Sequence, residues 1–390
     1  MAPTIRVIGS LNADMVSITP RFPDAGETIT SSAYFISAGG KGANQAVACG
    51  RLSRSQSSPS TVTTESDKNN NNNNGDVKIE MVGAVGALDG HFGSLLKPTL
   101  EESGVDTSRV QVIGDSYTGV AVIIVDSSAG GENRILFSPG ANYTGMQGTP
   151  EVLGMALASP VPDVIVMQGE IPTETTIGIL RDIARWKAEQ REKGNKGIDA
   201  GPDVMFNPAP APPGGLPGDV YAGVDHLIMN ETEAGLMTPS AEELVKVPGV
   251  EEGQDGKEKV ARYFHSLGVT YVLVTLGAKG VWYSAADADG GTGLDKSQRV
   301  TNQVPAAKVS RVLDTTAAGD TFVGAYAVKV ARWREQRRVE GRTGEDLTGE
   351  EKGVRYKVVM DEAMEVATRA SARCVERQGA MDSIPWEDEI

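Results

Sequence analysis

Asp320 is the side chain in this sequence best set up for chemistry. It closes the run Asp314-Thr-Thr-Ala-Ala-Gly-Asp320-Thr-Phe, immediately ahead of a segment with helical spacing. The small residues Ala317, Ala318 and Gly319 let the main chain bend closely, so that successive N–H groups can converge on an anion at a helix N-terminus. Such a cradle suits the charge that develops on a phosphoryl group in transfer. A carboxylate at its mouth could take the proton of an incoming hydroxyl as the new bond forms. The same pattern also suits a helix cap beside a tight turn, because Asp is common there, and the motif by itself leaves both readings open.

Further groups have the right chemistry for a small polar substrate and a nucleotide. In Ala38-Gly39-Gly40-Lys41-Gly42-Ala43-Asn44-Gln45 the glycines permit close approach, while Lys41 and Asn44 supply donors. Asn12 and Asp14 follow the first strand-like run, and an amide beside a carboxylate can grip neighbouring hydroxyls. In Asn230-Glu-Thr-Glu233, Glu233 could order water around a magnesium ion and Asn230 could meet phosphate; a capped helix start fits equally well. Thr275 to Gly280 lies at a strand end, where Gly277 could let a nucleotide pass near the backbone or simply serve a turn. Neither the Walker pattern nor the G-x-G-x-x-G dinucleotide spacing is present.

The elements that must carry these groups alternate. Short apolar runs at Ile5–Gly9, Val164–Gln168, Val204–Asn207, His226–Asn230 and Tyr271–Leu276 read as buried strands. Helical spacing follows at Gly42–Leu52, Glu174–Glu189, Glu258–Leu267, Asp320–Glu335 and Val358–Glu376. Near-continuous apolar strands alternating with helices predict an α/β fold with a mostly parallel central sheet covered on both faces. In such sheets ligands bind beyond the carboxyl ends of the strands, where the four polar groups fall. Segments within about 12–37 and 118–137 read as β excursions forming a small sheet over the site. Three stretches, about 53–78 with its six consecutive asparagines, 285–298 and 337–353, read as surface insertions in a single domain spanning 1–390.

With 37 Lys and Arg against 52 Asp and Glu, the net charge of −15 disfavours nonspecific binding to nucleic acid or anionic membrane. Cys49 and Cys374 make neither a disulfide framework nor a thiolate metal site. The N-terminal residues lack the pattern of a secretory signal, and no apolar window reaches a membrane span. A cytoplasmic protein is expected, with the nucleus also compatible.

Taken together, Gly9-Ser-Leu-Asn-Ala-Asp14, Phe22-Pro-Asp-Ala-Gly-Glu-Thr28, the Gly39–Gln45 run, Asn230–Glu233 and Asp314–Gly324 resemble the ribokinase (PfkB) family of carbohydrate kinases. The likeness runs from residue 5 to about Trp386, apart from the insertions. It implies ATP-dependent phosphorylation of D-ribose at its O5 hydroxyl, giving ribose 5-phosphate and ADP. Asp320 then matches the base and Ala317, Ala318 and Gly319 the anion hole. Asn12, Asp14, Gly40, Lys41, Asn44 and Glu170, with Asp320 itself, match the sugar site. Asn230, Thr275, Gly277 and Gly280 match the ATP site, and Glu233 the water-mediated magnesium contact. A potassium cage is implied at Asp314, Thr316, Cys374, Gly379 and Ser383, although Cys374 and Met381-Asp382 depart from the family pattern. The resemblance also implies a homodimer joined through the small-sheet lid. A kinase for another small sugar or a nucleoside is the alternative within the family, and a non-catalytic sugar-binding regulator the alternative outside it.

Overall fold

The computed structural model describes residues 2–56, 77–128, 132–251, 253–287 and 299–390. Most of the Asn-rich stretch and most of 285–298 lie outside those residues. The strands are β1 (Thr4–Ile8), β2 (Asn12–Thr19), β3 (Ala33–Gly39), β4 (Lys78–Gly86), β5 (Val105–Ile113), β6 (Gly119–Asp126), β7 (Glu132–Ser138), β8 (Val164–Gln168), β9 (Asp203–Asn207), β10 (His226–Asn230), β11 (Tyr271–Thr275), β12 (Val281–Ala285) and β13 (Val300–Val304). Nine of them form one sheet in the order β13-β12-β11-β10-β9-β8-β1-β4-β5. From β5 to β11 every pairing is parallel, and β12 and β13 add an antiparallel edge.

Helices cover both faces, as the apolar strands require. Among the longer ones are α1 (Lys41–Arg51), α2 (Thr173–Glu192), α3 (Glu231–Met237), α4 (Gly256–Ser266), α5 (Ala318–Val339) and α6 (Met360–Val375). One core layer joins α1, α5 and α6 to the sheet through residues such as Val47, Phe322, Tyr326 and Met364. The other joins α2 and α4 to the opposite face through Ile179, Ile183 and Phe264. Between α1 and α5 only small side chains intervene. A Cβ on Gly324 would stand 2.4 Å from that of Ala48, so glycine is what lets these two helices approach. Their N-termini consequently meet beneath one end of the sheet.

The second sheet, in the order β3-β2-β6-β7, is the small lid. Its two hairpin pairings are antiparallel, and β2 joins β6 in parallel. Asn12, Gly39 and Gly119 share one register row at its root.

Asn12 and Asp14 lie in β2, inside the expected β excursion, and β2 pairs on both sides from its first residue. Other local expectations change. The third expected loop is partly helical: Arg337–Val339 belong to α5, and a helix spans Gly349–Val354 behind a Thr348/Glu351 capping box. Buried Arg337 ties the intervening segment down, donating to the carbonyls of Arg342 and Glu345 at 3.1 and 2.9 Å. Lys78 is likewise the first residue of β4, so any insertion ends before it.

Candidate active site

The site grows from the contact between β1, the root of the lid and α1. Gly40 precedes α1 at φ 91°, and a Cβ there would press on the main chain of Asn12 and Leu11 at 2.8 and 3.1 Å. Glycine therefore lets α1 begin against the β1–β2 connection, where Ala43 N–H donates to the Ser10 carbonyl at 2.9 Å. That start points Lys41, Asn44 and Gln45 toward the strand ends.

Asp320 faces them from α5. It lies inside the first turn of the helix rather than ahead of it: Ala317 occupies the cap position in a left-handed conformation, with φ 58°. No side chain caps this end, so Asp320 is not spent on capping. Its two oxygens instead accept amide hydrogens, Oδ2 from Asn44 Nδ2 at 3.0 Å and Oδ1 from Gln45 Nε2 at 2.9 Å. A helix start with small residues leaves main-chain N–H groups without partners inside the helix. Ser371 Oγ fixes this turn from α6 by donating to the Ala318 carbonyl at 2.9 Å.

Charges of both signs gather here. Glu170, just past β8, accepts from the Lys41 N–H at 2.9 Å and from the Ser10 hydroxyl. Asp320 is the main cause of an upward shift at the Lys41 ammonium, with Glu170 and Glu233 adding to it. Burial, then the charges of Glu170 and Asp320, push the Asp14 carboxyl up to about 7. Burial also raises Glu170 and Glu233. The Asn44 carbonyl oxygen is buried and lacks a partner among the described residues, so a hydroxyl donor would complete it. Carboxylates, an ammonium and a waiting amide oxygen suit a neutral polyol.

Asn230 and Glu233 close a full capping box at the start of α3, each main-chain N–H reaching the other's side chain at 2.8 Å. The helix-start reading of this motif is therefore realised, and the charges of Lys41 and Asp320 still reach Glu233. Among the described residues no three His, Cys, Asp or Glu side chains assemble as a ligand set. A magnesium ion carried with nucleotide phosphates needs only one or two carboxylates and water, and Glu233 fits that smaller demand. Thr275 stands beside Asn230 in register. Gly277 opens the turn after β11 with a φ of 55°, whereas Gly280 lies where a Cβ would collide with the Val304 carbonyl at 2.0 Å.

The residues matched to the cation cage also converge. Asp314 accepts from the N–H groups of Thr316 at 2.9 Å and Gly379 at 3.0 Å, clamping the segment ahead of Asp320 to the C-terminal loop. The Cys374 thiol lies 3.5 Å from the Thr316 carbonyl and 3.1 Å from the Ser383 hydroxyl. Oxygens of this kind suit a hard monovalent cation. The thiol does not, and it is engaged with its neighbours.

Four polar residues at the site carried no functional signal in the sequence: Gln45, Gln168, Asn207 and Asn142. Asn142 accepts from Leu11 N–H at 2.9 Å and donates to Asn12 Oδ1 at 2.7 Å, fixing the lid root. Gln45 belongs to the Gly39–Gln45 run and Gln168 stands two residues before Glu170, whereas Asn142 and Asn207 are amides whose partners are remote in sequence.

Residues 2–387 match the model of the pfkB family carbohydrate kinase. A Schizosaccharomyces pombe ribokinase is 34% identical over 98% of this chain and 94% of its own. The Giardia lamblia ribokinase structure superposes with a TM-score of 0.71 at 27% identity, covering 100% of this chain and 97% of that one. The Arabidopsis thaliana ribokinase complexed with ribose and ATP gives a TM-score of 0.66 at 27% identity, with 100% and 97% covered. Because the family match takes in both the lid root and the Asp320 turn, the protein is an enzyme and belongs to the pfkB family of carbohydrate kinases.

Proposed function

We propose that this kinase phosphorylates D-ribose at O5 with ATP, forming ribose 5-phosphate and ADP. The observation that carries the proposal is the convergence on Asp320 of Asn44 from the sugar loop and of the charges of Lys41, Asp14 and Glu170. Asn12, Asp14, Gly40, Lys41, Asn44 and Glu170 hold the sugar hydroxyls. Asp320 takes the O5 proton as O5 bonds to the γ-phosphorus, and the bond from that phosphorus to the bridging oxygen breaks to release ADP. The first turn of α5, from Ala317 to Gly319, faces the transferring group with its main-chain N–H groups. Asn230, Thr275, Gly277 and Gly280 border the nucleotide.

Glu233 would approach a magnesium ion bound with ATP through water, and that ion would supply charge neutralisation for the phosphates. The oxygens around Asp314, Thr316, Gly379 and Ser383 would hold potassium beside the turn that carries the anion hole; Cys374 contributes packing rather than sulfur ligation. Tyr34, Phe35, Ile135 and Leu136 leave apolar surface exposed on the lid, and an uncovered sheet edge favours a partner. That supports a homodimer through the lid. One kinase unit with surface insertions, acting in the cytoplasm and holding no nucleic acid, completes the proposal; no described helix is long and apolar enough to cross a membrane.

The test is a steady-state panel of ATP with ribose, deoxyribose, fructose and nucleosides, with phosphorylation of O5 checked by NMR. Ribose should give the highest kcat/KM. Faster turnover of a nucleoside or of another sugar would replace ribose as the acceptor, and sugar binding without ADP formation would favour a non-catalytic regulator.

A further inference from the structure

We propose that Gln45 is a positioning residue for Asp320, and that its orientation is dictated by the ends of three strands. Gln45 is completely buried, and Asp320 is only 6% exposed. The Gln45 Nε2 amino group donates to Asp320 Oδ1 at 2.9 Å and to Asn207 Oδ1 at 3.0 Å. Its Oε1 accepts from Gln168 Nε2 at 2.7 Å. Every hydrogen-bonding atom of the Gln45 amide is thereby engaged.

The polarity of this chain is fixed by the main chain. Asn207 Nδ2 donates to the Ile228 carbonyl in β10 at 2.9 Å. A carbonyl can only accept, so Asn207 must turn its oxygen toward Gln45. Gln45 must then offer its amino group, which leaves hydrogens for Asp320. Turning any amide over would set two oxygens face to face in a buried site, at a cost comparable to a lost buried hydrogen bond. Gln168 ends β8, Asn207 ends β9 and Ile228 lies in β10, so the sheet itself determines which group meets the base. With Asn44 on the other oxygen, the carboxylate is held against rotation.

The inference rests on the assignment of Asp320 as base, and the variants separate the two. Gln45→Met removes the donors while keeping length and neutrality. It should lower kcat about 10–100-fold, the scale of a misplaced catalytic group, while the sugar Kd from calorimetry moves less than ~3-fold. In an Asp320→Asn background, the same change should cost less than ~2-fold in residual phosphotransfer, followed with radiolabelled ATP, because residues acting through one another are not additive. Gln168→Met, which has no bond to Asp320, should lower kcat in the same sense by several-fold and carries the test where Gln45→Met does not fold. An equal loss in both backgrounds, or a loss confined to sugar KM, would overturn the positioning role. So would unchanged kcat in a folded Gln45→Met or Gln168→Met protein. Retained turnover in Asp320→Asn alone would remove the base, and the role of Gln45 with it.

Discussion

Replacing Asp14 by asparagine should make the empty protein more stable and the sugar site nearly useless. Asp14 is 8% exposed, and burial, then Glu170 and Asp320, raise its carboxyl from 3.8 to about 7. A carboxyl whose folded value exceeds its unfolded value favours folding in its protonated form. That stability is fully present below the unfolded value and is lost as pH rises through the folded one. At pH 8 the ionised group should therefore cost of order 4 kcal/mol relative to a neutral isostere, from ~3 units at 1.36 kcal/mol each. At pH 5 the same relation leaves about 2 kcal/mol, and near pH 4 well under 1. Urea denaturation of parent and Asp14→Asn at pH 8 and pH 5 measures the difference directly.

The same charge governs binding. If sugar hydroxyls donate to ionised Asp14, the ionised fraction rises from ~10% at pH 6 to ~90% at pH 8, so affinity should improve roughly 9-fold. Asn at this position loses charge-assisted bonds worth ~1.5–3 kcal/mol, weakening sugar about 10–150-fold and flattening the pH dependence. A variant less stable than the parent at pH 8 would refute the account of burial and repulsion. Parent affinity that does not change between pH 6 and 8 would refute the role of the ionised carboxylate.

Asp320→Asn should leave sugar affinity within ~3-fold while lowering kcat by about 10²–10⁴, the range for a lost general base, in a coupled ADP assay. Potassium replaced by tetramethylammonium should reduce turnover without unfolding the protein; equal rates in both salts would detach the Asp314–Ser383 loops from cation binding. The double change Ile135→Glu and Leu136→Glu puts charge on both faces of the exposed edge strand β7 and should yield monomers in sedimentation velocity, whereas an unchanged mass would move the dimer contact elsewhere or remove it.

Much of the sheet was readable because β1, β8, β9, β10 and β11 are apolar runs that end in glycine or polar residues. β4 was not, and Arg6 explains why. In Lys78-Ile-Glu-Met-Val-Gly-Ala-Val-Gly86 the glutamate interrupts an otherwise apolar pattern, and the preceding Asn-rich stretch draws attention to a loop. In the fold Glu80 is buried against Arg6 on the neighbouring strand at 2.7 Å, a pairing across 74 residues that no local period reveals. Arg6 also donates to the carbonyls of Met155, Ala156, Ala158 and Pro160. This buried guanidinium, with Lys78 and Arg109 also paired to Glu80, makes a charge at a core position tolerable, and it ties the sheet to a distant loop. β5 escaped for a different reason: Val105-Asp-Thr-Ser-Arg-Val-Gln-Val-Ile113 is an edge strand with a partly polar face, so it lacks the continuous apolar run of its neighbours.

Asp320 and Gln45 divide legibility in the same way. A carboxylate after two alanines and a glycine can be picked out locally, although the same pattern serves a helix cap, and only the other motifs favour a base. Gln45 sits inside the Gly39–Gln45 run yet carries no charge, and a glutamine on a helix is ordinarily solvated surface. Its partners Gln168, Asn207 and Asp320 lie 123, 162 and 275 residues away. Only the close approach of α1 and α5, allowed by Gly324, brings it under the sheet, where burial turns an unremarkable amide into one whose every bond must be satisfied. The carboxylate proposed as base stands in a local motif, whereas its orientation depends on a chain of amides ending at a main-chain carbonyl of β10. Substitutions that spare Asp320 but disturb that chain should therefore damage turnover without weakening sugar binding.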